Sequence, residues 1–593
     1  MKRFFIPLAV ETGGLSPLDF SVASRDRYLD VASQGCFDLV VIGGGITGAG
    51  VLLDAVTRGL SALLVEKHDF GSGTSSRSSR LIHGGLRYLE QFDFGVVASS
   101  LRERSTLLRI APHLVWSAPF VIPIFRDSFF YRKRHLVRAG LAIYDALGAS
   151  VFSGRHRHLD NFELSGLIPG IDSSAYDGGI VYWDAINDDV RTCMAVLQTA
   201  VSFGALALNY CEAVRAEQTR STVQVLVRDH LTKREVVVTA RAIVNATGVF
   251  ADEVSSRLGF GIHLPLVPAR GAHIILRRSA YPGKAAVLLP VEMDQRFIFV
   301  IPTASKVIVG TTDTPHNGPL YDPSPTESEI RYIAEAYRHW SSASLEPGFV
   351  TGAYAGLRPL VSKSSLLGGG SRNRRNDSFG SSRNTPPTTS DISRRHVFAV
   401  GRNRSLTVTG GKFTAYRKMA QEAVDIVGEQ ILGQSLPPSK TANIPLWGAC
   451  SFEWFIRNAR SDKFYLGQSV PLRALRWLWR RYGSEGLRVM RYNAQVNAQP
   501  EEALDAGATW CFKGQILYAI RHESAARIED VLFRRTRLGS DDLITALALA
   551  PYASEIGLAY LPGEHRKGWA VQEINNLSER LNTMLKILDR AVR

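Results

Sequence analysis

Residues 37 to 66, FDLVVIGGGITGAGVLLDAVTRGLSALLVE, restrict the possible folds of this chain more than any other stretch. Phe37 to Ile42 is a short apolar run of the kind that makes a buried parallel strand. Gly43, Gly45 and Gly48 follow in the spacing G-x-G-x-x-G, and an amphipathic helix then carries Val51, Leu52, Ala55 and Val56 on one face. A second apolar run, Ala62 to Val65, ends on Glu66. Each part has a task in holding a dinucleotide. Gly43 allows the tight turn, Gly45 lets backbone approach a pyrophosphate, and Gly48 lets helix and strand pack closely. Ile46 and Thr47 open the helix, whose free N–H groups and positive dipole end suit phosphate. Glu66, ending the second strand, can accept hydrogen bonds from ribose hydroxyls. Such a glycine motif alone occurs by chance; strand, turn, helix, strand and acid in order give it meaning. At this level NAD and FAD both fit.

The next loop, HDFGSGTSSRSSR, is rich in short hydroxyl side chains. With Lys67, it offers Thr74, Ser75, Ser76 and Ser79 as donors, and Arg77 and Arg80 as charges, before Leu81 begins the next apolar pair. It suits wrapping the second phosphate and the flavin end of FAD, although a plain surface loop has the same composition. SRLIHGGLRYLEQ then places His83 and Arg87 four residues apart, on one face if the segment is helical, with Tyr88 beside them. A His–Arg pair beside a cofactor suits deprotonating an alcohol next to an anion.

The run GGGITGAG…LLVEK…GTSSRSSRLIHGGLRYLE resembles the FAD-dependent glycerol-3-phosphate dehydrogenases. VNATGVFADEV, GAHIIL, GTTDTP, YAGLRPLV, SRRH and TGGKFTAYRKMAQEAVD follow in that family's order, so the likeness covers roughly residues 37 to 428 and continues more weakly to about 538. The resemblance implies an α/β (overall α+β) protein: a Rossmann-like FAD-binding domain, an antiparallel-sheet substrate domain and an α-helical C-terminal domain. Expected limits are an irregular leader over 1–36, interleaved FAD and substrate domains over 37–436 (substrate sheet mainly 90–150 and 250–360), and the helical domain over 437–593. It further implies that Ala246, Thr247 and Gly248, and Gly410, Gly411, Lys412, Phe413 and Thr414, lie against FAD. Substrate-facing cations carried over are Arg87, Arg358, Arg394 and Lys412, with Tyr88 lining the site. His83 and His273 are both candidates for the catalytic base; Arg87 and Arg358 complete the catalytic set. The implied reaction oxidises sn-glycerol 3-phosphate to dihydroxyacetone phosphate and passes electrons to quinone. An oxygen-using oxidase, or an amine or amino-acid oxidase on the same architecture, are the alternatives; the cation set speaks against the latter.

Beyond these motifs the chain is read from composition and period. LVPARGAHIIL, FIFVIP and VIVGTTD are β-branched runs punctuated by Gly and Pro, and suit an antiparallel sheet containing His273. Residues 363–390, rich in Gly, Ser, Asn and Arg, have almost no apolar residues and are expected to be a disordered insertion. RDSFFYRKRHLVRAGLAIYDALG sets Phe129, Phe130 and Tyr131 among cations, as at a membrane interface, and LRALRWLWRRY (472–482) is a basic amphipathic stretch fit for a membrane or a partner. His522 reads as structural. No run of about twenty apolar residues occurs, so no helix is expected to span a bilayer. Five cysteines (Cys36, Cys193, Cys211, Cys450 and Cys511), unevenly scattered, fit neither a metal site nor a disulfide framework and point to a reducing compartment. Lys plus Arg outnumber Asp plus Glu by 70 to 55, a formal charge of +15 that favours an anionic substrate or lipid surface. No nucleic-acid motif appears. The expected setting is cytoplasmic, peripheral to the cytoplasmic face of the inner membrane; a homodimer is allowed.

Overall fold

The strand Cys36–Ile42 lies at the centre of an eight-stranded sheet, flanked by Glu235–Asn245 on one side and Ala62–Val65 on the other. The computed structural model describes residues 20–85, 93–126, 131, 134–148, 154–170, 175–291, 296–341, 345–361, 396–462, 470–496 and 511–592. The expected insertion over 363–390, together with Arg87, Tyr88, Phe129, Phe130 and Arg394, lies outside the described residues.

The order across the sheet is 397–401, 405–409, 235–245, 36–42, 62–65, 206–208. All neighbours from 405–409 onward are parallel, which is why these strands read as unbroken apolar runs: both faces are covered. The helix Ile46–Thr57 packs between Asp189–Ser202 and Tyr416–Ile426. Its approach to the latter is so close that a Cβ on Gly50 would lie 2.9 Å from the Tyr416 ring. The last parallel strand and helix thus return from residue 405 to close the fold begun at residue 36.

A second sheet of ten strands is almost wholly antiparallel. Leu266–Arg277 pairs along its length with Val350–Val361, and Val115–Phe125 with Tyr176–Asn187. Among the described residues the one parallel join in this sheet is Ala286–Val291 with Val115–Phe125. This sheet therefore also takes in Leu81–Ile82, Arg157–Leu159 and Tyr176–Asn187, outside the spans 90–150 and 250–360. Beyond residue 437 the described chain is helical, ending in Leu543–Tyr560 and Val571–Val592. These helices and the segment Gly563–Trp569 between them share a core with the antiparallel sheet through Leu549, Ala553, Trp569 and Leu577.

Three expectations need correcting. The leader is not irregular throughout: Arg25–Gln34 is helical, and its Arg25 guanidinium is buried against Asp229 (2.8 Å) and Asn209. His83, Gly84 and Gly85 are not helical; Arg87 lies outside the described residues, and the next described helix is Phe94–Ile110, capped by Asp93. The helix Leu472–Tyr482 does not offer its apolar face outward: Leu475, Leu478, Trp479 and Tyr482 are buried in its own domain, and Arg480 is stacked on Trp116 and Trp479. One helix among the described residues, Leu543–Tyr560, is long and apolar enough to cross a membrane; its Leu549, Ala550, Ala553 and Ile556 are core residues.

Candidate active site

A cavity of about 2010 Å³ runs from the glycine turn of the parallel sheet to the inner face of the antiparallel one. At its first end the glycines are required by contact. A Cβ on Gly43, whose φ is +108°, would lie 2.7 Å from the Ala246 carbonyl oxygen, and one on Gly48 would lie 1.9 Å from that of Gly43. The Ile46 amide, at the helix start, donates to Ser75 Oγ (2.9 Å), which ties the hydroxyl-rich loop to the phosphate-facing turn. Glu66 lines the cavity with its carboxylate oriented by the Gly44 amide (2.6 Å) and the His68 amide (2.8 Å). Burial raises its pKa despite those two donors. Beside it the His68 ring stacks on Tyr321 at 3.9 Å.

Of the residues expected against FAD, Gly43, Gly45, Ile46, Thr47, Glu66, Lys67, Thr74, Ser75, Ser79, Leu81, Ala246, Thr247, Gly248 and 410 to 414 all line this one cavity. Gly48, Ser76 and Arg80 do not. Gly48 acts through backbone packing, as above. The Ser76 carbonyl accepts from Arg537 (3.0 Å). Arg80 is turned away: its guanidinium makes a bidentate pair with Asp541 (2.8 and 2.5 Å), carried in by the C-terminal region. Burial works to raise the Asp541 pKa, but Arg80 and Arg537 outweigh it and hold it at about 2. The cradle fits FAD on its geometry: bare backbone at the turn, a carboxylate at the second strand's end, and a second glycine turn, Gly410–Gly411, with φ of +77° and +75° opposite.

At the far end His83 and His273 both line the cavity. His273 sits in the strand Leu266–Arg277, opposite Tyr354, whose ring stacks on it at 4.8 Å. Its Nε2 is 2.9 Å from Ser79 Oγ, while Nδ1 is buried without a hydrogen-bond partner among the described residues. Burial, with Arg358, Arg80 and Arg537 nearby, pushes its pKa down to about 3, so the ring is neutral at working pH. His83 stands in the turn after Leu81–Ile82, its amide 3.3 Å from Thr414 Oγ1.

Arg358 faces the cavity from the strand Val350–Val361. It donates to Asp313 (3.0 Å), the Thr312 carbonyl and Thr311 Oγ1 (3.2 Å). Gly271 makes room: a Cβ there would lie 2.6 Å from the guanidinium. Lys412 lines the same space. Arg296, which sequence reasoning missed, also lines it and donates to the Asp313 carbonyl (3.0 Å). Its signal was available, as the charged residue opening the apolar strand FIFVIP. The site can therefore bring a neutral imidazole, cationic side chains and a dinucleotide cradle to one space, the equipment for oxidising an anionic alcohol.

The chain is similar to known proteins in sequence and in fold. A family model described as FAD dependent oxidoreductase matches residues 38–417, and one described as the C-terminal domain of alpha-glycerophosphate oxidase matches 439–561. Glycerol-3-phosphate dehydrogenase 2 of Mycobacterium tuberculosis (strain ATCC 25618 / H37Rv) is 34% identical over 553 residues, spanning 93% of this chain and 88% of the relative. The probable glycerol-3-phosphate dehydrogenase of Encephalitozoon cuniculi is 30% identical over 556 residues, 91% of this chain and 84% of its own. The X-ray structure of the Bacillus halodurans glycerol-3-phosphate dehydrogenase complexed with FAD superposes with a TM-score of 0.74 at 27% identity, covering 96% of this chain and 98% of that one. By fold, motif order and likeness across nearly its whole length, the chain belongs to the FAD-dependent glycerol-3-phosphate dehydrogenase family.

Proposed function

We propose that the chain oxidises sn-glycerol 3-phosphate to dihydroxyacetone phosphate and hands the electrons to a membrane quinone. The observation that carries the substrate reading is the single cavity in which Arg358, Arg296 and Lys412 meet the glycine cradle and both histidines. A phosphate dianion needs cationic partners, and a guanidinium offers it two parallel donors. Bound FAD, held by the turns at Gly43–Ile46 and Gly410–Thr414, supplies the hydride acceptor for the C2 hydrogen. The chain's own part is to hold the phosphate, orient C2 and take the C2 hydroxyl proton. His83 and His273, at the far end of the cavity, are the base candidates; the His273 pKa, pushed down to about 3 by burial and nearby arginines, leaves it neutral but a weak proton acceptor.

What supports the quinone and peripheral-membrane reading is the helix Arg134–Leu147. Leu136, Val137 and Ile143 line the cavity, and the same helix leaves Leu136 65% and Ile143 40% exposed; Phe94, 40% exposed, also lines it. An apolar stripe that both reaches solvent and borders the redox cavity suits docking into lipid and admitting an apolar acceptor. Measuring peroxide during aerobic turnover separates the acceptors: with a short-chain quinone present, little peroxide is expected. One peroxide per substrate consumed would assign oxygen instead. Co-sedimentation with anionic vesicles, weakened by Leu136→Glu, is the companion test of the membrane reading.

A further inference from the structure

We propose that Tyr144, held by Asp184 and Arg104, is a positioning residue that sets the His83 turn for proton acceptance. The inference rests on the proposed reaction and on His83 as its base. The Gly84 amide, directly after His83, donates to the Tyr144 hydroxyl at 2.8 Å. That hydroxyl donates in turn to Asp184 Oδ2 at 2.7 Å, and Arg104 Nη1 donates to Asp184 Oδ1 at 2.8 Å and to the Trp183 carbonyl at 2.9 Å. All three side chains are almost wholly buried, within an apolar cluster of Leu101, Phe120, Leu141 and Tyr182. The turn fits the phenol so tightly that a Cβ on Gly84 would lie 2.6 Å from the Tyr144 hydroxyl.

An ion pair and a phenol buried in an apolar cluster stabilise little, because desolvation offsets most of their attraction, and apolar residues of similar volume do as well. What the arrangement supplies is direction. Its chain of donors starts at one backbone amide, next to the histidine that faces the cavity, and ends on the Asp184 carboxylate. On its other flank the His83 amide meets Thr414, from the turn that borders the FAD cradle. His83 is thus pinned from both sides, once by the cofactor-side turn and once by the clamp. Burial keeps the Tyr144 phenol protonated, so it remains able to donate to Asp184 while accepting from Gly84. Asp184 itself borders the cavity, so the clamp stands directly behind the reacting space.

The test is anaerobic stopped-flow reduction of the FAD holoenzyme by sn-glycerol 3-phosphate, for wild type, Tyr144→Phe, His83→Asn and the double variant. The phenylalanine fills the same volume and deletes only the two hydroxyl bonds. The limiting rate of Tyr144→Phe should fall roughly 10- to 100-fold, the scale of a small misplacement of a reacting group, with substrate affinity little changed. The double variant should match His83→Asn within about twofold, because the two residues act through one step. An unchanged limiting rate in Tyr144→Phe overturns the proposal, as do losses that multiply in the double variant. Should Tyr144→Phe fail to retain FAD, Asp184→Asn, which keeps the phenol in place, enters the same cycle with the same criteria. Failure of wild type to be reduced by this substrate overturns the underlying reaction instead, and is seen before any variant is made.

Discussion

Replacing Arg358 with alanine removes the cation that the antiparallel sheet aims most firmly into the cavity. The side chain is 27% exposed and braced by Asp313 and Thr311, so little of its binding is lost to ordering. Two charge-assisted hydrogen bonds from a guanidinium to phosphate contribute about 3 kcal/mol together at the low end of their range. The low end applies because Asp313, at 3.0 Å, already neutralises part of the charge. At 1.4 kcal/mol per tenfold, that is roughly a 150-fold rise in the KM for sn-glycerol 3-phosphate. Removal also leaves the Asp313 carboxylate facing the phosphate, which adds to the loss. Arg358→Lys keeps a charge without the fork and should raise KM about tenfold. The assay is anaerobic flavin bleaching against substrate concentration, run in parallel with unphosphorylated glycerol. For glycerol, wild type and Arg358→Ala should be equally poor. A KM within twofold of wild type, or an equal loss on glycerol, would refute the assignment of Arg358 to the phosphate.

Three further outcomes are expected. His113 and His273 are buried with pKa values pushed down to about 3, so below pH 6.5 the unfolded chain binds protons that the folded one does not. Their stabilisation is present above pH 6.5 and is lost on acidification by up to about 1.4 kcal/mol per pH unit for each histidine; the thermal midpoint should drop from pH 7 to pH 5, and less steeply in His113→Gln, whereas identical slopes would contradict the burial argument. Gly411→Ala puts a Cβ 2.5 Å from Met419 Sδ at a φ of +75° and should cost the protein its flavin, measured as FAD per chain, while Gly166→Ala, with nothing within 4 Å, should not. Asp541→Asn strands the buried Arg80 charge and should lower stability by about 3 kcal/mol; a companion Arg80→Leu/Asp541→Leu variant should recover much of it, and an unchanged thermal midpoint in Asp541→Asn would show that the pair holds nothing together.

The parts of this molecule legible in its sequence are those whose signals are local. The strand Cys36–Ile42, the helix Ile46–Thr57 and the glycine turns carry their reasons within a dozen residues: apolar runs, fixed spacing, and backbone positions where a Cβ collides. What escaped is made by pairs far apart in the chain. Arg80 ends the hydroxyl-rich loop and was expected at the cofactor, but its partner Asp541 arrives 461 residues later. Asp69 is likewise buried against Arg535 at 2.6 Å, and Asp189 against Arg537, so the C-terminal domain is bolted to the FAD domain by charges that no window of sequence brings together. The amphipathic helix Leu472–Tyr482 shows the limit of periodicity: a stripe tells that a face is buried, not whether lipid or the protein buries it. Nothing within RDSFFYRKRHLVRAGLAIYDALG marks Tyr144, and only the structure brings its hydroxyl to Gly84.

The most direct measurement of the central claim is to mix the purified FAD holoenzyme, without oxygen, with sn-glycerol 3-phosphate, glycerol and glycine in turn. sn-Glycerol 3-phosphate should bleach the flavin and yield one dihydroxyacetone phosphate per FAD reduced, while glycerol at the same concentration and glycine leave it oxidised. Bleaching by glycine and none by sn-glycerol 3-phosphate would contradict that claim.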